Sequence, residues 1–418
     1  MKSERLQHKR ILVHLNDILM LAFAALLPLN LKLLPLLLAA LLGIALLRIQ
    51  KETILQNLKL FIPYFIGFVL LFVWQAISLI WTTEVSFGVD KLGRRAFYIV
   101  APALFVLTNR IEFIKPVKAY IVSNIILCLA GFVHLVIFFI TEKMHFIERT
   151  LQEGVNSETA SYLIFHGRNN FIFLDIHRTY FCFSLIICIL VLFFSKKSYF
   201  GTHIKYLALG LISFVIFLLQ AKITVIILVI LLVTIFLVEV RKKPVKVKFW
   251  ASIVFGSVLL LGFHVSSPRF NRMINEISNI SENTNGSFIE RINYTNTAIA
   301  LIKEAPIIGH GFGDVRTVMK QKMEHLNYAD KLEQPSYDPH NEFLKALVGT
   351  GLIGFLLLTM ALITPLFFSI KEKNLAMGIL IGTISILCLV EPLLSRQMGM
   401  FTSLFFIGIF VKSELVNE

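Results

Sequence analysis

Asp338-Pro339-His340-Asn341-Glu342 runs without interruption into Phe343-Leu344 and an apolar stretch that ends near residue 369. A long polar segment meets hydrocarbon at this point. Proline disfavours helix in the residue before it, so a new helix is expected to begin around His340, with Glu342 in the first turn, where a carboxylate suits the positive end of the helix dipole. The span from 343 to 369 is 27 residues long, more than the roughly 20 needed to cross about 30 Å of hydrocarbon as helix. The polar side of this boundary carries reactive side chains, and the apolar side fixes the fold class.

The same pattern recurs along the chain. Of 418 residues, 56% are hydrophobic and 16% charged, and the mean hydropathy is +0.77, whereas a soluble domain carries about 25% charge. The composition excludes an ordinary soluble protein and predicts an all-α polytopic membrane protein. Twelve apolar spans are expected, near 11–29, 33–48, 61–81, 96–109, 119–140, 178–195, 206–220, 223–240, 249–265, 343–369, 376–392 and 398–412. Residues 11–29 follow a basic start but lead directly into a second span, which reads as a retained first helix rather than a cleaved signal. Three regions follow: 1–265 with spans one to nine, 266–342 as a long polar loop, and 343–418 with the last three spans.

The net charge of +14 does not require nucleic acid, because the cations follow the membrane segments. Lys2, Arg5, Lys9 and Arg10, then Arg48, Lys51 and Lys59, then Arg110, Lys115 and Lys118 occupy alternate connections, and the series continues at 196–205, 241–248 and 371–373. The positive-inside rule makes these loops cytoplasmic, with both termini inside and the segments 82–95, 141–177 and 266–342 outward. Anionic lipid head groups answer the cytoplasmic charge. The four cysteines, Cys128, Cys182, Cys188 and Cys388, all fall in expected spans and give neither a disulfide framework nor a zinc spacing.

The outward loop 266–342 is long enough to fold over the membrane surface. Within it, residues 289–304 place Ile292, Ile299, Leu301 and Ile302 at helical intervals, as in a half-buried amphipathic helix. Pro306 and the glycines of Gly309-His310-Gly311-Phe312-Gly313 end it. That turn is either one that approaches a ligand closely or a structural turn. A second, exposed helix is expected over 320–332. The loop 141–177 holds His145, Glu148, Arg149, His166, Arg168 and Asp175, ahead of Arg178 at the mouth of a span.

There is no phosphate loop with its lysine, no dinucleotide fingerprint, no His-Glu-x-x-His and no Asp-x-Asp pair. A reaction here draws its energy from an activated substrate, with no cofactor and no metal. His340 is the leading general base, since imidazole exchanges a proton near neutral pH; Asp338, Glu342 and Glu391 are rival carboxylates, Glu391 being also a candidate ion-pair partner of Arg396. Lys222, in Gln220-Ala221-Lys222-Ile223, is an ionisable residue between two spans, either a functional cation or one that snorkels to the head groups. Arg178 and Arg291 are likewise interfacial anchors or site residues. Three cations at one membrane surface suit a diphosphate leaving group, which arginine can grip in a bidentate fork.

Arg291 ahead of an amphipathic run, Pro306-Ile307-Ile308-Gly309-His310-Gly311-Phe312-Gly313, His340-Asn341-Glu342-Phe343-Leu344 and Gly351-Leu352-Ile353-Gly354 resemble the O-antigen ligase and O-antigen polymerase superfamily of bacterial envelope glycosyltransferases. The resemblance implies a metal-independent membrane enzyme of the bacterial inner membrane, with a periplasmic loop and a glycan on undecaprenyl diphosphate as donor. It matches His340 to the family's essential loop histidine and Arg291 to the arginine implicated in donor diphosphate binding. Lys222 stands where the family usually has arginine, keeping the charge but losing the planar fork, and Arg178 is carried over by location. Asn341, Glu342 and Glu391 are possible auxiliaries. The acceptor implied is lipid A core for a ligase, or the growing glycan chain for a polymerase. A polysaccharide-lipid transporter is the rival of a different class, although transporters usually show repeated halves and this chain keeps its polar mass in one late loop.

Overall fold

The computed structural model describes residues 2–29, 32–49, 51–108, 113–153, 176–195, 199–219, 221–242, 256, 287–328 and 337–411. The described elements are helical. They are α1 (Lys2–Leu26), α2 (Leu34–Leu47), α3 (Lys51–Ile77), α4 (Val85–Arg94), α5 (Phe97–Leu107), α6 (Ile114–Glu153) and α7 (Arg178–Phe194), then α8 (Thr202–Leu219), α9 (Lys222–Lys242), α10 (Ser287–Glu304), α11 (Val315–His325), α12 (Glu342–Lys371), α13 (Leu375–Val390) and α14 (Gln397–Val411).

Five described helices are long and apolar enough to cross a membrane: Arg10–Leu29, Lys51–Trp81, Ile114–Phe138, Thr202–Leu219 and Glu342–Lys371. Shorter apolar helices occupy Leu34–Leu47, Arg178–Phe194, Lys222–Val238, Leu375–Val390 and Gln397–Val411. The span expected at 96–109 is α5, whose 11 residues rise only about 16 Å at 1.5 Å each, half the hydrocarbon thickness. The span expected at 249–265 lies outside the described residues. The helix expected to end near 140 continues to Glu153, so much of the loop drawn from residue 141 begins as helix.

The chain divides into two compact units. The first comprises Met1–Met20, Pro35–Phe113 and Arg272–Glu418. Its centre is the antiparallel pair α3 and α12. The Tyr64 hydroxyl donates to Glu372 Oε2 at 2.6 Å near one end and Trp74 Nε1 donates to the Thr350 carbonyl at 3.0 Å near the other. Between them a side chain on Gly67 would collide with the backbone of Ala361, the close approach that small residues permit between apolar helices. On the other side of α3 an aromatic seam joins α5 and α14: Phe65 stacks on Phe105 at 6.0 Å and Phe97 lies 4.4 Å from Phe401.

The second unit, Leu21–Leu34 and Ile114–Asn271, is built around α7, which is buried along nearly its whole length. It packs against α6, α8 and α9. Its polar Ser184 is satisfied there by donating to Asn124 Oδ1 at 2.8 Å, in keeping with the rule that buried polar groups are hydrogen-bonded.

Candidate functional site

The polar segment expected from sequence folds onto the first unit as α10, the glycine turn, α11 and the start of α12. The buried face of α10 is Asn293, Tyr294, Thr297, Ala298 and Leu301, spaced as one helix face. Ile299, expected inside, is 43% exposed. Tyr294, Ala298 and Leu301 pack with Val315, Met319 and Met323 of α11 and Val348 of α12.

The glycine turn meets backbone. Near Gly351 the helix α12 is broken, with φ 65° and ψ −164°. The carbonyls of Val348 and Gly349 accept the amides of His310 and Gly311 at 2.9 Å each, and the Leu352 amide donates to the Pro306 carbonyl at 2.9 Å. Gly309, at φ 72°, lies so close to α12 that a Cβ would come within 2.6 Å of the backbone at Gly349, Thr350 and Gly351. His310 is tied down as well, its Nε2 2.9 Å from the Leu301 carbonyl. The two glycine motifs are therefore two halves of one joint that clamps the polar segment to a membrane helix.

Ahead of this joint α12 begins as expected. Asn341 is its N-cap, accepting the amides of Phe343 at 2.9 Å and Leu344 at 3.1 Å, an arrangement that stabilises a helix start by about 1 kcal/mol. His340, just before the cap, sits at φ 51°, a left-handed conformation uncommon outside glycine and enriched for Asn, Asp and His. Its amide donates to Asp338 Oδ1 at 3.1 Å. Asp338 in turn binds Lys345 Nζ at 2.6 Å. Burial works to raise the Asp338 pKa, but Lys345 and the His340 amide outweigh it and hold the carboxyl below its ordinary value.

The His340 ring lies 5.6 Å from that of Tyr294, and Glu391, from the end of α13, reaches it. Glu391 Oε2 is 3.8 Å from His340 Nδ1, and Oε1 is 3.6 Å from an Arg291 guanidinium nitrogen. His340, Arg291 and Glu391 are thus brought together from α12, α10 and α13. The ion pair considered for Glu391 with Arg396 forms with Arg291 instead. Glu342 faces away from this group: it is buried, accepts the Ser395 amide at 3.0 Å and hydroxyl at 2.6 Å, and pairs with Arg95 at 3.0 Å.

Arg178 and Lys222 lie in the second unit, each the first residue of its helix, α7 and α9. The first turns of those two helices meet, the side chains of Cys182 and Thr224 being hydrogen-bonded. Both cations thus stand at positive helix ends. His166, Arg168 and Asp175 lie outside the described residues.

Two features escaped the sequence reading. Asp314, 2% exposed, accepts the amides of Thr83 and Glu84 at 2.7 Å each and so anchors the start of α4. Asp314→Ala should cost about 1 kcal/mol for each of the two hydrogen bonds lost, Thr83 and Glu84 being themselves exposed, read as a lower unfolding midpoint of the purified protein; an unchanged midpoint would refute the anchor. The second feature is a pocket of about 320 Å³ whose charged lining is mainly cationic, with Lys91, Arg94, Arg95, Arg316, Lys345 and Arg396. Three of these come from a segment assigned outward, where the positive-inside pattern leaves cations unexplained; that exception was the available signal.

Comparison with known proteins bears on this arrangement. The chain is 31% identical over 144 residues to a Haemophilus influenzae protein described as uncharacterized, a match that takes in 32% of this chain and 35% of that relative, so it spans about a third of the relative's length. The family match runs through Lys222, Arg291, both glycine motifs and His340: residues 207–359 match the family model described as O-Antigen ligase, the superfamily that the motifs resemble.

Proposed function

We propose that this membrane protein is an O-antigen ligase-like glycosyltransferase that moves a glycan from undecaprenyl diphosphate to lipid A core at the periplasmic face of the bacterial inner membrane. The observation that supports this reading best is the convergence of an imidazole, a carboxylate and a guanidinium at the edge of a membrane helix, with Glu391 between His340 and Arg291.

In the proposed reaction an acceptor hydroxyl attacks the anomeric carbon of the lipid-linked sugar. The new carbon–oxygen bond forms as the bond to the diphosphate breaks. The hydroxyl proton passes to His340 through Nε2, because Nδ1 faces Glu391 at 3.8 Å. The diphosphate leaves with its own negative charge, which Arg291 meets; by the resemblance, Lys222 and Arg178 serve the same diphosphate. No external energy source is needed, since the sugar–diphosphate bond carries the driving force. Asn341 and Glu342 act by holding the start of α12, which fixes the position of His340.

The test is a deletion strain examined by lipopolysaccharide gel electrophoresis. Ligase function predicts bare core with lipid-linked polymer accumulating behind it. Core bearing a single repeat unit would instead identify a polymerase using the same donor. An unchanged ladder would overturn the transferase reading.

A further inference from the structure

The cationic pocket is distinct from the His340 group, whose three side chains do not line it, but residues close to them in the chain do. Asp338 and Glu342, which flank His340 in the chain, line it, and so do Ser395 and Arg396, which follow Glu391. Its charges do not balance. Glu342 answers Arg95 at 3.0 Å, Asp338 answers Lys345 at 2.6 Å, and Asp90 answers Arg94 at 2.7 Å. Lys91, Arg316 and Arg396 remain, and among the described residues none of the three has a carboxylate within ion-pair distance.

Lys91 lies instead over aromatic rings, 4.4 Å from the centre of Phe87 and 6.0 Å from that of Phe312, and Arg95 also lies over Phe312 at 5.0 Å. The pocket therefore has an apolar aromatic side and an unanswered positive side. The strain among its cations is visible at Lys91, whose pKa is lowered to about 7 by burial first and then by Lys345, Arg95 and Arg316, against the opposing pull of Asp338. Burial chiefly, and the neighbouring cations in addition, disfavour the charged form of Lys91, and an anion admitted beside it would offset both effects.

We propose that this pocket binds a phosphorylated sugar of the acceptor, with Lys91, Arg316 and Arg396 on the phosphate and Phe87 and Phe312 against the apolar face of the ring. Arginine suits phosphate because its planar fork donates two parallel hydrogen bonds. The volume, about 320 Å³, is at the low end of the roughly 300–1,000 Å³ of small-ligand pockets, enough for one phosphorylated sugar and its neighbour but not for a polymer. The pocket wall includes Asp338 and Glu342, two residues to either side of His340 in the chain, so a sugar seated there lies beside the segment that carries the imidazole. This assignment rests on the transferase reading and names the acceptor chemistry that reading leaves open.

Donor diphosphate is the other source of phosphate at this surface, and the experiment separates the two. Full-length protein in nanodiscs is titrated with glucose 6-phosphate and with glucose. Transfer kinetics are then measured on phosphorylated lipid A core and on the same core after phosphatase treatment. Arg316 and Arg396 are exposed, so the double variant Arg316→Ala, Arg396→Gln should fold normally. The expected results are a preference of about tenfold or more for the phosphorylated sugar, lost in the variant, and an acceptor KM raised by a similar factor with donor KM unchanged. The wild type should fall to the level of the variant on dephosphorylated core. Equal binding of both sugars, or a KM change confined to the lipid-linked donor, would overturn the proposal. The titration needs no turnover, so binding that behaves as expected in a protein that transfers no glycan would overturn the transferase reading, and the acceptor role with it, while the anion site stands.

Discussion

Gly351→Val is expected to prevent stable folding, lowering stability by more than about 4–5 kcal/mol, the range reserved for a broken structural joint. Gly351 combines φ 65° with ψ −164°, a region essentially confined to glycine and costing other residues about 1–3 kcal/mol. A Cβ there would also overlap the Ile307 carbonyl, and the backbone cannot retreat because Leu352 and Ile353 donate to Pro306 and Ile307 at 2.9 and 3.4 Å. Moving it would release the paired amides of His310 and Gly311 as well, each hydrogen bond being worth about 1 kcal/mol net. Gly382 of α13 is the control, since a Cβ there meets nothing within 4 Å; Gly382→Ala should leave the midpoint nearly unchanged. Size-exclusion profile and thermal unfolding in detergent measure both. A Gly351→Val protein that elutes and melts like the parent would refute the joint.

That joint marks the limit of what sequence could convey. The existence of most helices was legible, because length and hydropathy report burial in hydrocarbon directly, and the start of α12 was legible from Pro339 and Glu342. The face of α10 was legible only in part. Leu301, Tyr294 and Ala298 belong to the helical pattern and are buried, but hydropathy favours Ile299, whereas the structure completes the buried face with the polar Asn293 and Thr297, since what α10 meets is protein rather than lipid. The glycines of both motifs were visible, but their partnership was not: only the fold shows that one breaks a helix and the other fills the break. The packing of α5 was hidden in the same way, its apolar residues meeting aromatic rings of α3 and α14.

The site divides along a similar line. His340 stood out because imidazole exchanges a proton near neutral pH, and Arg291 because the resemblance matches it to a diphosphate-binding arginine; at a membrane boundary alone either residue could have been structural. Glu391 stood out too, but its partners come from other helices, and no spacing along the chain reveals them. The cationic pocket draws on α4, α11, α12 and the turn before α14, four segments whose charges look like ordinary surface charges until they are assembled. Lys91, Arg94 and Arg95 alone gave a hint, as cations on the side of the membrane that usually lacks them.

His340→Ala should lower transfer from purified lipid-linked donor by about 100- to 10,000-fold, the contribution of a positioned general base, and Arg291→Ala by on the order of 100-fold, the loss of a donor aimed at developing charge. Glu391→Gln discriminates between chemistry and scaffolding. Glu391 is within ion-pair distance of both groups, 3.8 Å from the imidazole and 3.6 Å from the guanidinium, and a partly exposed pair of this kind is worth up to about 1 kcal/mol, or about fivefold in rate at 1.4 kcal/mol per decade. If that loss comes from stabilising the imidazolium, it depends on His340 being present. In the His340→Ala background, Glu391→Gln should then cost little more, because groups that act as a unit are strongly non-additive. A Glu391 that merely braces α13 would give losses that multiply, together with a lower unfolding midpoint. Such multiplication, or full activity in His340→Ala, would remove the imidazole from the centre of the reaction and leave the carboxylates to be tested as the base.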